Sequence, residues 1–573
     1  MRGLPFARAA MTVFAGALFC LVVSAPAMGL DAPGWEVNSR SYPTNLLSGS
    51  SATVVVDVFN IGGTESSEGA TVTDTLPEGI EGVSSEGWTC GGGSSSVCTR
   101  EVEVAATGNV RYKEKGLFSG GQEEFPLEVH VGAGVPGGEV INTVSVAGGG
   151  ALNAASQSNL FTVSSAHSGF GFAKVDEWYS NADGTLDTQA GSHPFAFTFN
   201  FDLNTKPNSE PEGEIRNITV NLPPGLIGNT TAVTRCTREQ FDDTNCPTGS
   251  QIGVSSNGLS SGQPRLFLLH DLPVYNLVPP PGHPAEFGFE LDGNQVLLDA
   301  SVRSDGDYGI TEHVDNIPQR EVVDSTVTIW GVPGDPGHDA QRTCRADGLK
   351  LPGPCRSSDG EVPFLTLPTS CTGPEAISAL ANEWADGKVT DEIDFVSHDQ
   401  TGEASGLTGC GHLGFGPSLS AVPDTSDADT PAGLTVELKV PQEGLVATNG
   451  LAVSNIKGTT VTLPEGVVIN PGQATGLGAC QTAESAVGTQ EAPSCPSNSK
   501  VGTDEIETPL IKSALKGDVY VLQSNPPNLR LLVAASGEGV NLKLVGDVHL
   551  DEATGRLTTT FSETPELPFT TFR

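Results

Sequence analysis

Positive charge is scarce in this chain. Its 573 residues hold 29 Lys and Arg against 69 Asp and Glu, a formal net charge of −40. A surface of that sign repels phosphate backbones and anionic lipid, which argues against nucleic-acid binding. The acids are scattered rather than blocked, so solubility and self-repulsion explain them better than a dedicated cation site. Long apolar runs are missing after Val23, and no later stretch spans about 30 Å of hydrocarbon. No CxxC occurs and no histidine stands at finger-like spacing, which argues against zinc. No LPxTG wall-sorting motif is present, and no lipobox cysteine sits at the N-terminal cleavage site, because Cys20 lies inside the apolar run. Long uninterrupted helices are excluded by what is plentiful instead, 70 glycines and 40 prolines. That composition suits many short strands joined by turns.

The chain begins like an exported protein. Arg2 and Arg8 form a basic start, Ala9 to Val23 an apolar core, and Ala25-Pro26-Ala27 a small-x-small cleavage pattern, so residues 1–27 read as a signal peptide. An uncleaved membrane anchor is the rival reading, and the run is short for it. Removing Arg2 and Arg8 leaves 27 basic residues against 69 acidic ones, a net charge of −42. Of eleven cysteines, all but Cys20 remain in the mature chain, an even ten in an oxidising compartment. Their order pairs Cys90 with Cys98, Cys236 with Cys246, Cys344 with Cys355, Cys371 with Cys410 and Cys480 with Cys495. The pairing of the middle four (Cys344, Cys355, Cys371, Cys410) stays open. Cys236–Cys246 and Cys480–Cys495 have independent support, because the chain repeats itself.

Ile218-Thr219-Val220-Asn221-Leu222-Pro223-Pro224-Gly225 is followed by Cys236, Cys246-Pro247 and Ile252-Gly253. Thr459-Thr460-Val461-Thr462-Leu463-Pro464-Glu465-Gly466 is followed by Cys480, Cys495-Pro496 and Val501-Gly502. A duplicated β module with its own cysteine pair is a scaffold signature. Proline ends each strand by withdrawing a donor, and glycine permits the turn that follows.

Short alternating runs divided by turn signals predict an all-β chain of tandem immunoglobulin-like or β-sandwich modules with a disulfide-containing irregular segment. Residues 33–165 form the first module, with strands at Ala52 to Phe59, Ala70 to Leu76, Phe125 to Val131 and Glu139 to Val146. Residues 173–339 form repeat A, where Phe195, Phe197, Phe199 and Phe201 share one strand face and make it a core face. Residues 340–432 read as an irregular cysteine-containing segment and acidic linker, in which Ala376 to Trp384 fits a short helix or a strand. Residues 433–573 form repeat B. Its ending at Phe569-Thr570-Thr571-Phe572-Arg573, with no evident cap or anchor, reads as truncation.

Ser51 to Asn60, Asp74-Thr75-Leu76-Pro77-Glu78-Gly79, Trp88-Thr89-Cys90 with Cys98, and Asn142 to Val146 resemble the bacterial surface repeat known as domain of unknown function eleven. The resemblance covers about a quarter of the chain. It implies an immunoglobulin- or cadherin-like sandwich of secreted and wall-associated proteins, and brings no catalytic residue. Gln189 to Pro194 and Phe364 to Cys371, with the duplication, resemble long secreted actinobacterial proteins, a resemblance that implies no activity.

Candidate chemistry is sparse. Gly258-Leu259-Ser260-Ser261-Gly262 satisfies G-x-S-x-G but reads as a Ser/Gly loop, whereas a nucleophile needs a tight strand-to-helix turn. His193, His338 and His412 read as surface residues. Asp183 to Asp187 and Asp424 to Asp429 cluster oxygens as calcium would require, but match no known loop pattern and read as solvated turns. Chance carboxylate pairs are certain among 69 acids, so pairing alone does not indicate glycoside hydrolysis. No catalytic, cofactor-binding or metal residue is assigned, and no cofactor is expected. The leading reading is a secreted or cell-surface structural or adhesive protein without catalytic activity. The alternative is extracellular carbohydrate or cell-wall binding, and a secreted hydrolase ranks third. A partner would be a wall or extracellular polymer or a protein, with no nucleic acid and no membrane span after signal cleavage.

Overall fold

Alternating Val, Thr and Phe runs become strands almost everywhere. A computed structural model describes residues 32–573, apart from 61–63, 67–68, 92–95, 105–110, 114–115, 119–121, 264, 340, 347–348, 353–354, 400–401, 468–475, 526–528, 552 and 555. For 111–113, 116–118, 122, 263, 265, 344–346 and 349–352 only the backbone is described. The expected signal peptide, residues 1–27, lies outside the described residues. Among them, the α-helices are two short pieces, Arg238–Asp242 and Thr482–Ser485, so the chain is all-β as expected.

The first module is a sandwich of two sheets. One orders Trp35–Tyr42, Ser51–Asn60, Gln122–Val131 and Ile80–Gly82, and the other Asn45–Leu47, Ala155–Ser164, Gly138–Ala147, Ala70–Thr75, Val97–Val102 and Thr89–Cys90. Side chains alternate across a strand, so Val54, Val56 and Val58 enter the core against Val72, Val144 and Phe161. Val55 points the other way and is still fully buried. Its face is covered by the second module, where Tyr42 and Val55 pack on Leu266 and Val323.

Repeat A is one sheet of eleven strands. Its spatial order is Phe172–Ser180, Ala196–Leu203, Val322–Trp330, Gln251–Gln263, Arg265–Asn276, Ala285–Leu291, Asn294–Val302, Ile310–Val314, Ile215–Asn221, Ala376–Glu383 and Thr390–Val396. Its first and last strands come back into contact, so the sheet rolls around an interior. Phe197, Phe199 and Phe201 face that interior as their spacing predicts. Phe195 does not follow them; its ring stacks on His338 with centroids 4.0 Å apart.

The stretch 340–432 departs most from its sequence reading. It carries the last two strands of the rolled sheet, Ala376–Glu383 and Thr390–Val396, and so the helix-or-strand ambiguity resolves to strand. Leu365–Thr366 pairs with Ile227–Gly228, and Phe364, Leu365 and Leu367 join the core. Its strand Ser418–Pro423 begins the next sheet. Glycine and proline density made this stretch look irregular; long-range pairing supplies the order that local propensity does not.

Repeat B orders Ser418–Pro423, Leu434–Lys439, Thr571–Phe572, Lys500–Glu507, Leu515–Leu522, Leu529–Gly537, Val540–Leu550, Leu557–Phe561 and Thr459–Thr462. The duplication extends to small details. Both Leu-Pro-x-Gly glycines sit at positive φ, Gly225 at 84° and Gly466 at 93°, a conformation glycine adopts without a Cβ penalty. Cys236 and Cys480 each form a parallel bridge, to Leu277 and Leu522. A capped helical turn follows each: the Thr237 hydroxyl accepts from the Gln240 amide at 3.2 Å, and the Glu484 carboxylate accepts from the Gln481 amide at 2.9 Å. Each next strand opens with a register shift, at Gln251/Gly253 and Lys500/Gly502.

Candidate functional site

Among the described residues, disulfides join Cys90–Cys98, Cys236–Cys246, Cys371–Cys410 and Cys480–Cys495. Cys355 is also disulfide-bonded, while the Cys344 side chain lies outside the described residues. The first bridge ties neighbouring strands of the sandwich. Cys371–Cys410 closes a loop of sequence separation 39 across the two strands that complete the rolled sheet. The cysteines thus serve as local fasteners, each stabilising its segment by about 2–4 kcal/mol.

Several residues occupy places the sequence did not suggest. Gly258 to Gly262 lies within strand Gln251–Gln263 rather than in a loop, and Ser260 Oγ pairs with Ser209 Oγ at 3.0 Å. His338 is fully buried, its ring stacked on Trp330 as well as Phe195, and burial pulls its pKa down to about 4. His193 is half-buried, and its ring nitrogens meet the Leu365 and Gly444 carbonyls at 3.0 Å each. His412 is exposed as expected. Asp183 accepts from the Thr185 amide and hydroxyl, and Asp424 from the Gly433 amide. The Asp424 turn is self-contained, whereas Asp187 is buried and accepts from the Gln189 amide and the Ser192 hydroxyl beyond its turn. No group of three or more His, Cys, Asp or Glu is arranged to hold a metal among the described residues.

Two groups of buried polar side chains in repeat A were not anticipated from the sequence. One lies at the seam of the roll. Phe172–Ser180 and Thr390–Val396 meet there through side chains rather than a ladder, the Phe172 amide donating to Asp391 Oδ2 at 2.8 Å. Glu177, 2% exposed, lies near Glu375 beside the buried Tyr179. Burial holds the Glu177 carboxyl well above its ordinary range, and Glu375 and Asp176 add to it; Glu375 rises to about 7, again by burial. His398 Nε2 meets Asp176 Oδ1 at 2.7 Å, and its pKa is raised by its bond to the Asp399 carbonyl and by Asp176. The space between these groups is about 30 Å³, room for about one water.

The other lies inside the roll, a cavity of about 170 Å³. Its wall is almost all carbon, including Phe197, Phe199, Phe201, Phe287, Phe289 and Leu298. At roughly 24 cal/mol per Å³, leaving such a volume unfilled costs about 4 kcal/mol, and native cores are ordinarily filled. The polar wall groups Asn257 and Ser325 satisfy each other, Ser325 Oγ donating to Asn257 Oδ1 at 2.8 Å. Glu312 is different. It occupies the central inward position of Ile310-Thr311-Glu312-His313-Val314, with the apolar Val220 and Ala300 as its cross-strand neighbours. Glu312 Oε2 is buried without a hydrogen-bond partner. Burial pushes this carboxyl up to about 8, with Asp299 adding to the effect. One signal was legible: an acid at the inward register of an otherwise apolar alternation.

No family model matches the chain, and no curated protein matches its sequence. Among solved structures it is similar to the C-terminal domain of the antigen I/II-family protein AspA of Streptococcus pyogenes, at 8% identity over 63% of this chain and 99% of that one, with a TM-score of 0.14. It is also similar to a partial N-terminal region of an enterococcal surface protein, at 10% identity over 65% and 98%, TM-score 0.21. A third is BspA_C_WT, at 8% identity over 63% and 99%, TM-score 0.15. Likenesses this weak carry no functional argument. The fold class rests on the strands themselves.

Proposed function

We propose that this chain is an extracellular structural or adhesive protein, a non-catalytic stack of β modules. The observation that supports this most is continuity: at both junctions, successive modules share buried contacts rather than a bare linker. At the first, Thr44 and Thr205 exchange amide-to-hydroxyl bonds of 3.0 Å, and Val55, Leu266 and Val323 are buried together. Each such side chain stabilises the contact by about 1.5–3 kcal/mol. Arg40, paired with Asp57 and Glu124 of its own module, also feels the charge of Asp324 in repeat A. At the second, the Tyr308 hydroxyl donates to the Lys543 carbonyl at 2.9 Å. Glu566 accepts from the Thr369 amide at 2.7 Å and the Ser370 hydroxyl at 2.9 Å.

Contacts of this kind join successive modules directly and leave the loops to meet a partner. Among the described residues no helix is long and apolar enough to cross a membrane. The disulfides and the signal-like start of the sequence support export. The test is fractionation of the cells that make the chain, with thiol labelling. Extracellular chain whose cysteines resist labelling is the expected result, and intracellular chain with free thiols overturns the proposal. Retention on purified wall polymer would move the reading to wall recognition.

A further inference from the structure

We propose that the interior of repeat A is a binding site for a small apolar molecule bearing one hydroxyl, held by the Glu312 carboxyl. The site is independent of the scaffold reading above. Its volume of about 170 Å³ resembles an engineered apolar cavity of about 150 Å³ that takes up benzene. The occupant is therefore a short aliphatic or single-ring molecule rather than a long acyl chain or a sugar. The carbon wall selects against polar bodies, which would lose hydration without gaining partners.

The head group follows from Glu312. Its Oε2 has no partner, its register neighbours are Val220 and Ala300, and the polar pair Asn257–Ser325 is already satisfied internally. A protonated carboxyl offers one donor and one acceptor, and a hydroxyl offers the same pair in return. An anionic head would enter a chain of net charge −40 and lie near Asp299, which already opposes negative charge at Glu312. A cationic head would have to leave water to pair with one ion inside an apolar wall, where desolvation offsets the attraction. A neutral alcohol meets neither obstacle.

The experiment titrates the full chain with 1-octanol by calorimetry, with octanoate and octylamine as anionic and cationic comparisons. Saturable 1:1 binding of 1-octanol is expected, tighter than either charged compound. Glu312→Leu removes both bonding groups and lowers affinity about tenfold, whereas Glu312→Gln keeps a donor and an acceptor and stays within about threefold of the parent. The leucine variant replaces a buried acid with an apolar side chain, and its folding is checked by melting. Crystals soaked with 8-bromo-1-octanol locate the site independently of any variant, with bromine expected inside the roll. Absence of saturable octanol binding overturns the proposal. So do unchanged affinity in Glu312→Leu, tighter binding of a charged compound, or bromine bound only elsewhere.

Discussion

Repeat A and repeat B share one strand order over nine strands, and repeat A adds two later strands that close its sheet. Each strand of repeat B has a counterpart in the same spatial place in repeat A, whose sheet continues through the later strands Ala376–Glu383 and Thr390–Val396. With those strands and the Leu365–Thr366 ribbon, repeat A returns on itself and buries Ala196–Leu203 on both faces. The corresponding Leu434–Lys439 buries no residue, and Ser418–Pro423 is exposed throughout. The difference reaches the interior acid. Val220 pairs with Glu312 in repeat A, whereas Val461, its sequence equivalent, pairs with Thr559. Two copies of one module thus share nine strand places in one order, and in repeat A strands later in the chain add closure.

The largest effect that would sharpen this contrast is a core truncation. Phe199→Ala should cost about 3–5 kcal/mol in chemical denaturation of the full chain, because Phe199 packs on Phe201 and Phe395 inside the roll. Equal losses from Leu434→Ala, 43% exposed, would break the comparison.

The pH dependence should also differ between the copies. Glu312 and Glu375 are raised from 4.5 to about 8 and about 7, and Asp504 of repeat B from 3.8 to about 6. A carboxyl raised on folding keeps a proton that the unfolded chain has released. Its contribution is fully present below the ordinary value and is lost as pH rises through the folded value. Repeat B should therefore lose this contribution between about pH 4 and 6, and repeat A between about pH 4.5 and 8. Each tenfold difference in proton affinity between the folded and unfolded chain is worth at most about 1.4 kcal/mol. Melting from pH 5 to 9 checks this: Glu312→Gln should flatten the upper part of the curve, and a parent curve already flat there contradicts it.

Removing a disulfide comes next. Replacing both cysteines of Cys480–Cys495 with serine should cost about 3 kcal/mol, and the shorter Cys236–Cys246 loop about 0.4 kcal/mol less. Near-equal losses would show that the two loops do the same work in both copies. A cap is smaller still. Thr237→Ala should cost about 1 kcal/mol, measured against the parent by denaturant midpoint. Smallest is Leu434→Ala itself, expected within about 0.5 kcal/mol.

Much of the fold was legible because strands announce themselves by alternation. Val54, Val56 and Val58, or Phe197, Phe199 and Phe201, reveal a buried face through local pattern alone. The candidate site was less legible. Glu312 could be noticed as an acid between two inward apolar positions, but Glu177 and Glu375 are brought near each other only by the seam. His338 looked like a surface residue beside a cysteine, and only the approach of Phe195 and Trp330 buries it. Gly258 to Gly262 reads as a loop because Ser and Gly dominate it, yet Gly258 and Leu259 pair with strands on both sides and Ser260 with Leu266.

The sequence by itself determined the strand content, the duplicated module and the positions where turns must fall. These follow from side-chain period, from the fixed φ and missing donor of proline, and from the left-handed freedom of glycine, all of which act within a few residues. Tertiary structure alone decided that repeat A closes, that 340–432 completes it, that Val55 is covered by another module, and that an unpaired acid lines a cavity. Those outcomes depend on pairings between residues far apart in the chain, whose energies come from burial and ladder hydrogen bonds that no local window contains.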